Sequence, residues 1–260
     1  AIDSALADLR PTGAEAIGVR CDVSDPDSME EMAAEVYDAY GAAHVICLNA
    51  GVSAGGTMAD LKLIDWEWVL GVNLWGIIHG IDAFLNKLIT QDEGHFVITA
   101  SICGHTCYPT SGPYAATKHA AIAIAETLYN ELSAAGSRVG VTALCPGFVN
   151  TQITNSERNR PEPLVDHAAP VPSDEDQRAR EALLEAFAAA AHEPSSVAAL
   201  VHDAILDDTF WLFTDDRHDA SISRRHAEIQ ERRNPSQAVS LLEEAFGADW
   251  NSYQDTAEPR

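Results

Sequence analysis

Lysine is nearly missing from this sequence. Three residues in 260 are Lys, and Lys and Arg together number 16 against 40 Asp and Glu. The formal net charge of −24 leaves no broad positive surface for a phosphate backbone, which excludes a nucleic-acid partner. Cysteine is also sparse. Cys21, Cys47, Cys103, Cys107 and Cys145 are odd in number and form no paired CxxC; most lie in apolar strand-like runs and read as small apolar side chains in a reducing compartment. No run of 18 or more apolar residues is present, so no membrane span is expected. No charged-then-apolar leader is visible, and the expectation is a soluble cytoplasmic protein.

What is present is an alternation. Apolar, β-rich runs are expected as strands at "AEAIGVRCDV", "HVICLNAG", "GHFVITAS", "RVGVTALCPG" and "TFWLFTD". Between them lie helical patterns: "DPDSMEEMAAEVYDAYG", acidic at its start and closed by Gly41, then "DWEWVLGVNLWGIIHGIDAFLNKLI", the run around Tyr114, and Pro194–Asp207. Continuously apolar strands separated by helices imply a parallel sheet covered on both faces. The expected fold is therefore α/β, a doubly wound Rossmann-like sheet in a single domain spanning 1–260, with 216–260 as a helical tail. Such folds bind ligands beyond the carboxyl ends of their strands. Residues 148–193 break the pattern. They are rich in Pro and charge, then turn Ala-rich with Leu183, Leu184 and Phe187 on one helical face, and are expected to form a substrate lid.

The strand ends carry a set of turn-forming and hydroxyl residues: Asp22 in "CDVSD", Asn49, Ala50 and Gly51 in "LNAG", Ser101 in "ITAS", and Pro146 to Thr151 in "PGFVNT". In "SGPYAATKHA", Tyr114 and Lys118 stand one helical turn apart and project from one face. Taken singly, Ser101 is as well explained as a strand-end cap, and the Tyr114–Lys118 pair as a surface helix. His105, His119 and His167 have no close ligand-like neighbours in sequence, so no metal site is expected.

In order and approximate spacing, "CDVSD", "NAG", the Asn73 of "VNLWG", the Ser of "ITAS", "YAATK" and "PGFVNT" resemble the short-chain dehydrogenase/reductase family. The likeness covers about Cys21 to Thr151. It implies a nicotinamide-dependent oxidoreductase acting on a secondary alcohol or its ketone, with Asn73, Ser101, Tyr114 and Lys118 as the catalytic set. It also implies that Asp22 and Val23 meet the adenine. Asn49, Ala50, Gly51, Tyr114 and Lys118 would lie along the ribose, and Pro146, Gly147, Val149 and Thr151 at the nicotinamide. The chemistry suits these residue types. A phenol of pKa about 10 is a poor base at neutral pH, and a nearby ammonium favours its ionised form. Ser101 would orient the substrate oxygen, and Asn73 would relay to Lys118 through water.

One family feature is missing. No GxxxGxG turn precedes Asp22, and "GVSAGG" follows the wrong strand. The expectation is that the native chain starts upstream of Ala1. Asp3 near the start, with no Arg beside it, favours NAD over NADP. Two other readings stay open: a dinucleotide-binding regulatory or scaffolding protein on the same fold, and an epimerase or dehydratase, for whose larger substrate Thr151–Arg260 is short. The aromatic and aliphatic residues of "CYPTSGPY" and "GFVNTQI" favour an apolar substrate. The apolar faces of "LWGIIHGIDAFL" and "AAIAIAETLYNEL" lead, by the family resemblance, to a homotetramer.

Overall fold

The computed structural model describes residues 2–168 and 173–236. Four parallel strands, β1 (Val45–Leu48), β2 (Gly94–Thr99), β3 (Val139–Cys145) and β4 (Trp211–Phe213), pair in the order β1-β2-β3-β4. Their register puts Ile46 beside Phe96 and Phe96 beside Val141, so all four carboxyl ends point the same way. Both faces are covered, as continuous apolar character requires. On one face Ile46, Phe96, Ile98, Val141 and Ala143 pack with Ile77, Phe84, Leu88, Ala121, Ala125 and Leu128. On the other, Val97 and Leu144 meet Val197, Val201 and Ile205.

The helices follow their sequence signals. α1 (Ile2–Leu9) precedes α2 (Pro26–Tyr40), which starts where Asp25 accepts the Asp27 N–H and ends at Gly41, whose φ of 74° is the left-handed conformation glycine adopts freely. α3 (Leu63–Leu70) and α4 (Gly76–Gln91) form one continuous helical run through a π-helical turn, Gly71–Trp75. By length and composition Leu63–Gln91 passes as a membrane span. Here it buries Trp68, Val69, Asn73, Ile77, Phe84 and Leu88 within the protein. α5 (Gly112–Ala134), α6 (Asp174–Ala190), α7 (Pro194–Leu206) and α8 (Asp219–Glu231) complete the α-helices among the described residues. Of the expected tail, 237–260 lie outside the described residues.

One expected strand is corrected. Residues 14–22, read as a strand leading into "CDV", run without regular structure, and Ile17 is exposed. A strand needs a hydrogen-bonded neighbour. Among the described residues β1 is paired on one side only, by β2, and its Val45 is 46% exposed. An apolar groove of about 290 Å³, lined by Val23, Met29, Met32, Val36 and Phe84 among others, runs beside that edge. The apolar pattern of "AIGV" is present; the partner that would make it a strand is not among the described elements.

α5 sits unusually close to the turn that follows β2. A Cβ at Gly104 would lie 2.7 Å from the carbonyl oxygen of Lys118 and 3.1 Å from its carbonyl carbon, both backbone atoms that cannot rotate away. Gly104→Ala is therefore expected to push α5 outward at Lys118 and destabilise the fold by about 1–3 kcal/mol, read as a fall in Tm. An unchanged Tm would mean that this contact is not close.

Candidate active site

The ends of β1, β2 and β3 each contribute one wall. After β1 the chain turns through Asn49, Ala50 and Gly51, and the Thr99 hydroxyl at the end of β2 donates to Asn49 Oδ1 at 3.0 Å. After β2, Ser101 opens a short 3-10 turn, Ile102–Gly104, by accepting the Cys103 N–H at 3.1 Å. After β3, the Pro146 carbonyl accepts from the Ile102 N–H at 3.0 Å and from the Ser101 hydroxyl at 3.4 Å. The second and third walls are thus stitched together through Ser101.

α5 lays Tyr114 and Lys118 against this floor. The Tyr114 hydroxyl is hydrogen-bonded to Ser101. Lys118 Nζ lies 5.5 Å from the Tyr114 ring centre and donates to the Thr99 carbonyl at 2.7 Å. Lys118 is buried, at 3% exposure, and has no carboxylate partner among the described residues. Burial drives its ammonium down to about 8, partly offset by the thiols of Cys103 and Cys145. Burial likewise pushes the Tyr114 phenol well above its ordinary value; Cys103 adds to this, and the Ser101 hydrogen bond draws it part of the way back. Without ligand, then, the site favours a neutral phenol.

Asn73 sits behind this pair, fully buried on the π-helical turn. Its Oδ1 accepts the Val52 N–H at 2.8 Å, and its Nδ2 donates to the Val52 carbonyl at 2.9 Å and to Thr117 Oγ1 at 3.2 Å. Both amide hydrogens are spent on protein, so Asn73 here clamps the turn after Gly51, with only an Oδ1 lone pair left for any relay. Leaving such an amide unpaired would cost about 1–3 kcal/mol. A methyl placed on Gly51 would stand 3.7 Å from Asn73 Oδ1 and 3.8 Å from Lys118 Nζ, which locates both groups at that turn.

Apart from Asn73, the residues singled out in the sequence line one cavity of about 1550 Å³: Asp22, Val23, Asn49, Ala50, Gly51, Ser101, Tyr114, Lys118, Pro146, Gly147, Val149 and Thr151. Asp22 folds back on itself, its Oδ1 accepting the Ser24 N–H and hydroxyl at 3.0 and 2.7 Å. The Val23 carbonyl is bonded to His79 Nδ1 at 3.0 Å. Thr151 caps the 3-10 segment Gln152–Asn159. The three histidines lie apart: His105 packs on Trp211 and Phe213, His119 bonds the Ala115 carbonyl, and His167 faces Glu162.

The segment from Phe148 to Glu193 contributes Phe148, Thr151, Ile153, Pro161, Leu164 and Phe187 to the lining of this cavity. Its first half is pinned at three points. Ser156 accepts the Ser53 N–H at 3.1 Å; Arg160 pairs with Asp65 and lies 4.8 Å from the Trp68 ring; Lys62 pairs with Asp166. On α6, Phe187 packs edge-on against Phe148 with ring centres 4.9 Å apart, and Leu184 is half-buried; the Leu183 side chain lies outside the described residues. The early part, rich in Pro and charge, is wound into short 3-10 turns at Gln152–Asn159 and Glu162–Leu164. Pro163 is accommodated because the first turn of a helix needs no N–H from it.

Several residues of the site are not legible in the sequence. Thr214, whose hydroxyl accepts the Gly147 N–H at 3.1 Å, follows the last strand but belongs to no motif. Ser53 and Ser156 meet across 103 positions. Arg158 lines the cavity and has no ion pair among the described residues, yet nothing local marks it among other arginines.

Comparison with known proteins agrees with this geometry. The family model for short chain dehydrogenase matches residues 1–162, and the chain belongs to that family. A short chain dehydrogenase/reductase from Burkholderia phymatum, solved in complex with NAD, is 38% identical, with a TM-score of 0.86 over 92% of this chain and 85% of that one. An acetoacetyl-CoA reductase from Synechocystis is 34% identical over 154 residues, 58% of this chain and 62% of that protein. A C alpha-dehydrogenase from Sphingobium is 32% identical over 163 residues, 62% of this chain and 53% of its own length. The chain thus spans between about half and two thirds of the length of these curated relatives.

The buried ammonium gives a prediction with a defined sign. Its folded pKa is below its unfolded one, so the ionised form penalises folding in full below about pH 8. That penalty fades as pH rises towards the unfolded lysine value of about 10.4. Lys118→Met is expected to raise Tm by several degrees at neutral pH, with the gain shrinking steadily above about pH 8. A gain independent of pH, or a loss greatest at neutral pH, would contradict it.

Proposed function

We propose that this protein is a nicotinamide-dependent oxidoreductase that interconverts a secondary alcohol and its ketone. The observation that carries the reading is the meeting of Ser101, Tyr114 and Lys118 on the floor of one cavity whose other walls are Asp22, Gly51 and the Pro146–Gly147 turn. The residues present fit the nicotinamide and adenine ends of a dinucleotide: an acidic turn at Asp22, a glycine at the point where backbone and ligand would approach most closely, and a lysine between them. A glycine-rich turn for the pyrophosphate does not occur before Asp22 in this sequence.

Bound there, a nicotinamide supplies the hydride donor or acceptor, and its oxidised ring supplies positive charge. The protein's own groups handle the proton and the geometry. Ser101 donates to the substrate oxygen. Tyr114 holds or takes the hydroxyl proton at its phenolic oxygen. Lys118, fixed by the Thr99 carbonyl, keeps positive charge one helical turn from the phenol and has donors to spare for a ribose. A phenol raised by burial needs that added positive charge to ionise, so the base becomes competent only when the site is loaded.

Residues 148–193 are read as the substrate lid, because the segment leaves the Pro146–Gly147 turn and gives Phe148, Thr151, Pro161, Leu164 and Phe187 to the cavity lining. Trp68, Pro161, Leu164 and Phe187 give its substrate side an apolar lining. Closure would exclude water from the reacting carbon. NAD is favoured over NADP, a preference supported by the NAD bound in the Burkholderia relative. Trp75 on the π turn and Tyr129 on α5 are exposed, which supports pairing of these faces in a cytoplasmic homotetramer.

The test is a screen of secondary alcohols with NAD and with NADP, run on wild type and Tyr114→Phe. Turnover by the variant is expected to fall at least about a hundredfold, with NADH affinity held. Retention of more than a few per cent of the wild-type rate would remove Tyr114 as the acid–base group.

A further inference from the structure

The exit of β4, Thr214 to Arg217, contacts both the turn after β3 and the chain that follows α6. Its first contact is with the turn after β3. The Thr214 hydroxyl accepts the Gly147 N–H at 3.1 Å, and a methyl on Gly147 would stand 3.2 Å from Asp215 Oδ2. One residue earlier, the Pro146 carbonyl accepts from Ser101. A chain of contacts therefore leads from Asp215 through Thr214 and Gly147 to the residue that would bind the substrate oxygen.

Its second contact is with the end of the lid. Where α6 finishes, His192 rejoins the body by pairing with Val149: its N–H donates to the Phe148 carbonyl and its carbonyl accepts the Asn150 N–H, both at 2.9 Å. The His192 ring is held at 2.9 Å from Asp215 Oδ2, and Arg217 lies 3.0 Å from that same oxygen and 3.1 Å from His192 Nε2. Arg217 also donates to the Ala190 carbonyl at 3.0 Å, at the end of α6 where the helix has spare acceptors and partial negative charge. The Asp215 side chain is only 13% exposed, so its bonds to Arg217 and His192 are little diluted by water.

We propose that Thr214 and Asp215 are positioning residues: one anchor at the exit of β4 that sets both the Pro146–Gly147 turn and the return of the lid at His192. This rests on the oxidoreductase reading for the turn, whereas the lid half stands on geometry alone. Neither residue touches the reacting atoms. Thr214 acts through the Gly147 backbone and Asp215 through His192 and Arg217. The arrangement makes the two halves separable: Thr214 serves the turn, His192 the lid, and Asp215 both.

The experiment measures NADH affinity by calorimetry and trypsin cleavage at Arg178 and Arg180 on α6, with Tm alongside. Thr214→Val is expected to weaken NADH binding about fivefold, the loss of one backbone hydrogen bond, and to leave cleavage unchanged; Thr214→Ser restores affinity. His192→Phe is expected to speed cleavage several-fold with a smaller effect on NADH. Asp215→Ala should do both. Unchanged NADH affinity in Thr214→Val, or cleavage in Asp215→Ala no faster than wild type, overturns the shared anchor. So does a set of variants whose affinity and cleavage simply track Tm. If Asp215→Ala does not fold, Thr214→Val and His192→Phe decide the two arms separately. A wild type that binds no NADH overturns the functional reading and the turn half with it, while the cleavage arm still judges the lid half.

Discussion

The arrangement depends on one buried ammonium. Lys118 is almost fully removed from water, and burying a charge without a carboxylate partner opposes folding. It is tolerated because α5 lies close enough to the strand ends for Nζ to reach the Thr99 carbonyl, and because two thiols rather than further cations surround it. That closeness depends in turn on a glycine at 104, where any side chain would meet the backbone of Lys118. The same docking brings Tyr114 to Ser101. The site is thus a by-product of how tightly one helix packs over the ends of β2 and β3.

The neighbouring polar groups are arranged to hold that position. Asn73 is presented by a π-helical turn, a local insertion often found at functional sites. Its amide locks Val52, which fixes the turn after β1 against the Thr117 hydroxyl. The Thr117 hydroxyl donates to the Tyr114 carbonyl at 2.8 Å. Three elements, the π turn, the β1 exit and α5, are therefore bound into one polar network with no unpaired amide, and such fully satisfied buried networks rigidify what they connect.

Along the proposed lid the forces differ. The stretch from Thr151 to Asp166 buries few apolar side chains and is held mainly by point contacts: a serine pair, one partly buried Arg–Asp pair stacked on a tryptophan, and an exposed lysine pair. Exposed pairs are worth little, and the Arg160–Asp65 pair, with side chains 8% and 16% exposed, is the strongest of these ties. α6 adds the Phe148–Phe187 contact. Fewer and more exposed ties hold this stretch than hold the floor, which is what the proposed lid requires of its fastening.

The local pattern of residues was enough to establish the alternation of strands and helices, the limits of α2, and the facing of Tyr114 with Lys118, because each is set by periodicity or by caps a few residues apart. The ordered motifs from Asp22 to Thr151 likewise brought the family into view and gathered residues that line one cavity. Tertiary structure decided the rest. Whether "AEAIGVRCDV" pairs as a strand depends on a neighbour, and apolar pattern alone cannot supply one. Whether Asn73 clamps a backbone turn depends on Val52, 21 positions away, and the roles of Ser156, Thr214 and Asp215 depend on partners from 23 to 103 positions distant. The protonation tendencies of Tyr114 and Lys118 come first from burial, and then from Cys103, Cys145 and Ser101 rather than from each other. Sequence spacing fixes which groups share a helical face; only packing fixes how much water reaches them.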